Sequence, residues 1–102
     1  MKVVITGEQP VCVKLQGRLD TTASIEVTPD FQNLSQYATG KLLIDCSELE
    51  YISSSGLRLF LALRKEVATQ GGTLQIMNLS DEILQIFRIT GFISLFDFCT
   101  KK

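Results

Sequence analysis

Leu42-Leu43-Ile44-Asp45-Cys46-Ser47-Glu48-Leu49-Glu50-Tyr51-Ile52-Ser53-Ser54-Ser55-Gly56-Leu57-Arg58 sets the architecture of this chain. Leu42-Leu43-Ile44 is a continuous apolar run, the pattern of a central strand covered on both faces. The strand is expected to end at Asp45, followed by a short loop that Leu49 and Ile52 anchor to the core. Three hydroxyls, on Ser53, Ser54 and Ser55, then arrive where the next helix begins. From Leu57 to Thr69 the residues Phe60, Leu63, Arg64 and Val67 fall near one helical face, and Gly71-Gly72 stops the helix.

Toward the C-terminus, Thr73 to Met77 reads as a strand. Ser80 caps a further helix, with Leu79 before the cap and Leu84 inside it spaced as a hydrophobic staple. Ile83, Ile86, Phe87 and Thr90 continue its buried face, Gly91 closes it, and Leu95 to Phe98 is a last short strand. Toward the N-terminus, Val3 to Thr6 and Val11 to Leu15 are β-rich runs joined by the turn residues Gly7-Glu8-Gln9-Pro10. Val11, Val13 and Leu15 alternate with Cys12 and Lys14, as in a half-buried strand. Gly17-Arg18-Leu19-Asp20-Thr21-Thr22 reads as a turn followed by helix-capping residues. Val27, Phe31, Leu34 and Ala38 then share a helical face. Pro29 fits best as the first residue of that helix with Thr28 as N-cap, because a helix begun at Thr22 would be kinked there; Gly40 ends the segment. The order is β-β-α-β-α-β-α-β, an α/β fold with a mixed sheet and packed helices. A single domain is expected, residues 1–102.

Composition narrows the function classes. The chain has 102 residues, 45% hydrophobic and 21% charged, with a net charge of −1. It therefore offers no basic field for nucleic acid or anionic lipid. No apolar run reaches the ~18 residues of a membrane span, and Val3-Val4-Ile5 is too short for a signal-peptide core; a cytoplasmic protein is expected. Cys12, Cys46 and Cys99 lie far apart among apolar or strand-like neighbours and read as small buried hydrophobes. The absence of histidine removes Ser-His-Asp and Cys-His catalysis and the commonest metal ligand. There is no phosphate-binding Gly-Lys-Ser/Thr loop and no G-x-G-x-x-G. Asp45 and Glu48 are two nearby carboxylates, but nothing suggests the sugar cleft that a glycosidase pair needs. No enzyme, cofactor or metal site is expected.

The serine cluster is the informative feature. Helix N-termini carry amides without intrahelical partners and the positive end of the helix dipole. A serine there is either a simple N-cap or an exposed hydroxyl that a kinase can reach, where a phosphate is electrostatically tolerated.

Four blocks resemble the STAS domains of the anti-sigma factor antagonist group: Gly17-Arg18-Leu19-Asp20; Leu43-Ile44-Asp45-Cys46-Ser47 through Tyr51-Ile52-Ser53-Ser54-Ser55-Gly56-Leu57-Arg58; Gly71-Gly72-Thr73-Leu74; and Leu79 to Phe87 with Thr90-Gly91-Phe92 and Leu95-Phe96. The resemblance runs over nearly the whole chain. It implies a STAS-type mixed β-sheet with helices packed along one face. It also implies a partner-switching regulator whose unmodified form binds an anti-sigma factor that is a serine-protein kinase of the histidine-kinase-like ATPase type. Binding would release a sigma factor or other target; phosphorylation would end it, and a PP2C-type phosphatase would reset it. In the family motif Asp-Ser-Ser/Thr-Gly the modified residue stands two places before the glycine, which is Ser54 here. Ser53 occupies the place of the Asp, so Ser53 and Ser55 stay open as alternatives. The implied partner surface comprises Asp20, Ser53, Ser55, Gly56, Leu57 and Arg58. STAS domains also resemble assembly or scaffold subunits of lipid-trafficking and signalling complexes, a second reading that needs no phosphorylation.

Overall fold

The chain enters the fold as a hairpin. Strand β1 (Lys2–Thr6) lies antiparallel to β2 (Val11–Leu19), with Thr6 opposite Cys12 and Lys2 opposite Gln16. The computed structural model describes residues 1–7 and 10–99; Glu8 and Gln9 of the expected turn, and the side chain of Cys99, lie outside the described residues. Helix α1 (Thr21–Asn33), a 3-10 turn at Leu34–Tyr37, β3 (Lys41–Ile52), α2 (Ser54–Gln70), β4 (Thr73–Met77), α3 (Asp81–Ile89), a 3-10 turn at Phe92–Ser94 and β5 (Asp97–Cys99) follow. This is the expected β-β-α-β-α-β-α-β order.

The sheet runs β1-β2-β3-β4-β5, with every pair after the first parallel. Each crossover steps to the next strand in the same direction, so right-handed connections bring all three helices to one face. Burial agrees. Val11, Val13 and Leu15 are buried under the helices, while Cys12, Lys14 and Gln16 between them are only half-buried on the open face. Leu43 is half-buried too, so the expectation of a central strand covered on both faces is corrected: the helices cover one. The expectation of a buried thiol holds for Cys46, whose pKa burial pushes up strongly, but not for Cys12. Under the helices, Phe60 packs against Phe31 of α1, Phe87 of α3 and Phe96, with ring centroids 5.9–6.3 Å apart. Phe87 also meets Phe98 of β5 edge-on.

Four local expectations are corrected. First, Gly17 to Leu19 is not a turn; β2 continues to Leu19, and Gly17 takes φ +107° where its register with β3 shifts. Second, no loop follows Asp45, because β3 runs on to Ile52. Lys14 faces Asp45 and Gln16 faces Glu48; Gly17 faces Leu49 and Arg18 faces Tyr51. Each of those intervals holds one more residue in β3 than in β2, as a β-bulge does. The buried positions therefore run Leu42, Ile44, Cys46, Leu49, Ile52, and the broken alternation imitates a loop. Third, α1 starts at Thr21, with Pro29 inside it. Asp20 caps it, its Oδ1 accepting from Ala23 N at 2.8 Å. Pro29 leaves the carbonyl of Ile25 without an intrahelical donor. Ile25 is 71% exposed, so water can serve it. Thr28 is no cap; its hydroxyl donates to Ser24 O at 2.6 Å. Fourth, β5 begins at Asp97, because Leu95 closes the preceding 3-10 turn and its carbonyl accepts from Arg64 Nε.

Gly71 and Gly72 do different work at the end of α2. Gly71 is the left-handed C-cap at φ +80°. Gly72 makes a close backbone approach: a Cβ there would lie 2.0 Å from Ala38 O and 2.5 Å from Gly40 O. Gly40 O also accepts from Thr73 N at 3.0 Å, tying this point to the start of β3. Gly71→Ala should cost about 1 kcal/mol of stability. Gly72→Ala, pressed against backbone that no rotamer can clear, should cost more than about 3 kcal/mol. Denaturant melts of the two variants check the order; equal losses would contradict the close approach.

Candidate functional site

Two parallel neighbouring strands end level. Leu19, the last residue of β2, faces Ile52, the last residue of β3. The next residue of each chain is a helix N-cap: Asp20 for α1, at φ −84° and ψ −175°, and Ser53 for α2, at φ −90° and ψ 172°. Both caps hold the extended conformation that lets a strand pass straight into a helix. Ser53 N donates to Leu19 O at 2.8 Å, which carries the β2–β3 ladder one rung past the last strand pair.

The three serines have different surroundings. Ser53 is 8% exposed; its Oγ accepts from Gly56 N at 3.1 Å and its carbonyl from Leu57 N at 2.9 Å. Ser54 is the first residue of α2 and is exposed, and its hydroxyl has no partner among the described residues. Ser55 is half-buried, one turn before Leu59, which lines a groove of about 340 Å³ between α1 and α2. The amides of Ser54 and Ser55 precede the first helical donors and have no intrahelical carbonyl to bond. Gly56 and Leu57 are buried; Arg58 is exposed, four residues along from Ser54 on the same side of the helix. Asp20 is half-buried and holds its cap. The expected site residues thus gather at one end of the sheet, but they divide into an outer set (Asp20, Ser54, Ser55, Arg58) and an inner set (Ser53, Gly56, Leu57).

The first turn of α2 contains no acidic residue, whereas α3 has Asp81 and Glu82 in its first turn and Arg88 in its last. The dipole of α3 is therefore matched by side-chain charge, and the positive end of α2 is not. One feature escaped the sequence reading. The Arg18 guanidinium lies 4.6 Å from the centre of the Tyr51 ring, a cation–π contact two residues before each of the two caps. Arg18 faces Tyr51 only because of the second bulge, so its signal was the shared place of both residues just ahead of a cap.

Asp45 and Glu48 serve the sheet instead. Asp45 Oδ1 accepts from Ser47 N at 3.0 Å and from Asn78 Nδ2 at 3.1 Å, bracing the first bulge from the residue after β4. Partial burial pushes its carboxyl up, but the bonds from Ser47 and Asn78 outweigh this and hold it below the usual carboxylate value. Glu48 pairs with Lys14 at 3.0 Å and accepts from Gln16 at 2.9 Å, both on the surface. Among the described residues no cluster of acidic, Cys or His side chains could hold a metal ion, and no helix is long and apolar enough to cross a membrane.

Residues 2–101 match the family model of the STAS domain. The chain is 29% identical over 96 residues to the anti-sigma-B factor antagonist of Bacillus subtilis, covering 94% of this chain and 87% of that protein. It is 30% identical over 79 residues to the anti-sigma-B factor antagonist of Staphylococcus aureus, covering 78% and 73%. Among solved structures, a STAS-domain protein from Planctomyces limnophilus superposes with a TM-score of 0.87 at 19% identity, over 98% of this chain and 91% of that one. The anti-sigma factor antagonist SpoIIAA in its unphosphorylated form gives 0.75 at 18% identity, over 99% and 90%. At these identities the structural likeness bears on the fold alone.

Two measurements probe the frame of the site. Asp20→Ala removes a cap and should cost about 1 kcal/mol, whereas Asp20→Asn, which can still accept from Ala23 N, should cost a few tenths, about 0.3 kcal/mol; calorimetry separates them. Because the pKa of Asp45 is lowered on folding, its contribution to stability is present above the unfolded carboxylate pKa of about 3.9 and is lost as pH falls through the lower folded value. Asp45→Asn should therefore narrow the difference in melting temperature between pH 7 and pH 3, and an unchanged difference would mean that the bulge does not depend on the charge.

Proposed function

This chain belongs to the STAS domain family, and from that premise we propose that it is an anti-sigma factor antagonist switched by phosphorylation of Ser54. The observation that carries the reading is the contrast among the three serines. Ser53 is buried and occupied as a cap and Ser55 is half-buried, while Ser54 stands exposed with a free hydroxyl at the unmatched positive end of α2. The partner is a serine kinase of the histidine-kinase-like ATPase type that also holds a sigma factor or comparable target. In the transfer, Ser54 Oγ forms a bond to the γ-phosphorus of ATP and the bond from that phosphorus to the β-bridging oxygen breaks. ADP leaves, and the hydroxyl proton passes to a base on the kinase or to solvent. The chain is the acceptor and performs no chemistry of its own. A PP2C-type phosphatase returns it to the binding state by hydrolysis.

Phosphate adds about −1.5 to −2 charges near pH 7. At the start of α2 it meets unbonded amides and the positive dipole end, favourable by typically ~0.3–1 kcal/mol. Buried unpaired against a partner, the same charge costs several kcal/mol. A loss of ~3 kcal/mol weakens binding more than a hundredfold. The domain stays folded while the interface fails.

Incubation with ATP and a serine kinase of this type that binds the chain, followed by site-resolved mass spectrometry, should place one phosphate on Ser54. Ser54→Ala should accept none and remain bound to the kinase, and Ser53→Ala should still be labelled while losing about 1 kcal/mol of stability with its cap. Full labelling of the Ser54→Ala chain, or equal kinase affinity before and after phosphorylation, would sink the reading. Amide spectra of the phosphorylated chain should shift only near residues 52–60; a global change would mean that the modification refolds the domain.

A further inference from the structure

We propose that Leu19 is the seat on which the first turn of α2 rests, and that Gly56 is a positioning residue which lets Ser54 sit at the height needed for phosphoryl transfer. The inference rests on the reading of Ser54 as the phosphate acceptor and gives Gly56 a role other than partner contact. Gly56 lies in the first turn of α2, and its φ is not among the positive values, so the backbone does not call for glycine there. Alanine would be the better helix former. The reason for glycine is space. A Cβ on residue 56 would meet Leu19 Cγ at 2.7 Å, Leu19 Cδ2 at 2.9 Å and Ile52 Cγ1 at 3.0 Å. Leu19 is fully buried and Ile52 2% exposed, so neither side chain can swing into solvent to make room.

The helix itself would have to lift, and three bonds converge on the same point. Gly56 N donates to Ser53 Oγ, Leu57 N to Ser53 O, and Ser53 N to Leu19 O. Lifting residue 56 therefore draws Ser53 away from the end of β2 and carries Ser54 with it. Leu19 is also the residue before Asp20, so the same seat sets Ser54 relative to the neighbouring cap. Buried as it is, Gly56 offers a partner almost no surface of its own. A misplaced acceptor hydroxyl slows transfer steeply, since reacting groups displaced by about 1 Å can cost ~10²-fold in rate.

The test uses the full chain with the same kinase and ATP, below the melting range of each variant. Gly56→Ala should lower kcat for phosphorylation of Ser54 about tenfold or more, with a smaller change in KM. Leu19→Ala removes both Leu19 atoms that a Cβ on residue 56 would strike, and the Leu19→Ala/Gly56→Ala double variant should recover kcat relative to Gly56→Ala alone, a coupling that a partner contact would not produce. Where loss of the core leucine prevents folding, Leu19→Met replaces Leu19→Ala, because its unbranched chain can turn away at nearly equal volume. Should Gly56→Ala itself not fold, Leu19→Met alone reshapes the seat and should lower kcat with little change in melting. Wild-type kcat in Gly56→Ala, no recovery in the double variants, or wild-type kcat in Leu19→Met when it stands alone would overturn the seat. No phosphorylation of the wild-type chain would instead overturn the reading of Ser54.

Discussion

The hydrogen bond from Ser53 N to Leu19 O is the rung on which the rest of the site depends. It exists because β2 and β3 are parallel neighbours that finish at the same level. From Val11 to Leu19 β2 contributes nine residues, while the facing stretch of β3 from Leu42 to Ile52 contributes eleven. At about 3.3 Å per residue, two unabsorbed residues would carry Ser53 roughly 7 Å beyond the end of β2. The two bulges take up that excess. Asp45 braces the first of them from below through Ser47 and from the side through Asn78, and Gly17, at a φ that other residues seldom adopt, permits the second. The bulges are thus the means by which two helix caps, distant in sequence, come to stand side by side.

That dependence explains what the sequence could disclose. The Ser80 cap, the Gly71-Gly72 stop and the β1–β2 pairing were legible because each is a local matter of residue type within a few positions. The continuation of β3 through Glu48 and Glu50 was not, because a bulged strand no longer alternates and its buried residues fall at intervals of three, which no strand template matches. The start of α1 was misplaced for a related reason. Pro29 is a strong local signal for a helix start, but the Asp20 cap and the burial of Ala23, Val27 and Phe31 outweigh it. At the site, the serine cluster could be read as chemistry. Which serine is buried could not, since that follows from Ile52 being the last inward-facing residue of a strand whose register the bulges set.

Charge is distributed as unevenly as burial. Lys14 and Glu48 form a surface pair of little consequence for stability, and α3 carries acidic and basic residues at the ends where its dipole favours them. The start of α2 has neither, only hydroxyls, with Arg58 one turn farther on. A helix left in this condition forgoes a few tenths of a kcal/mol. In the proposed switch the phosphate would supply the negative charge that the first turn of α2 lacks.

The site's rigidity follows from the same packing. Phe60, one turn beyond Gly56, is fully buried among Phe31, Phe87 and Phe96, so α2 is held close to its first turn by aromatic contacts with α1, α3 and the segment before β5. With the helix body fixed, the first turn has little freedom to adjust, and its height is decided by what lies beneath Gly56. A group presented from a strand end and a packed helix is positioned more precisely than one on a loop. In the proposed switch, a change of charge at Ser54 then acts on the contact surface and not on the packing beneath it. A regulator working by binding and release requires this division, with the response at the contact surface and an unchanged fold beneath it.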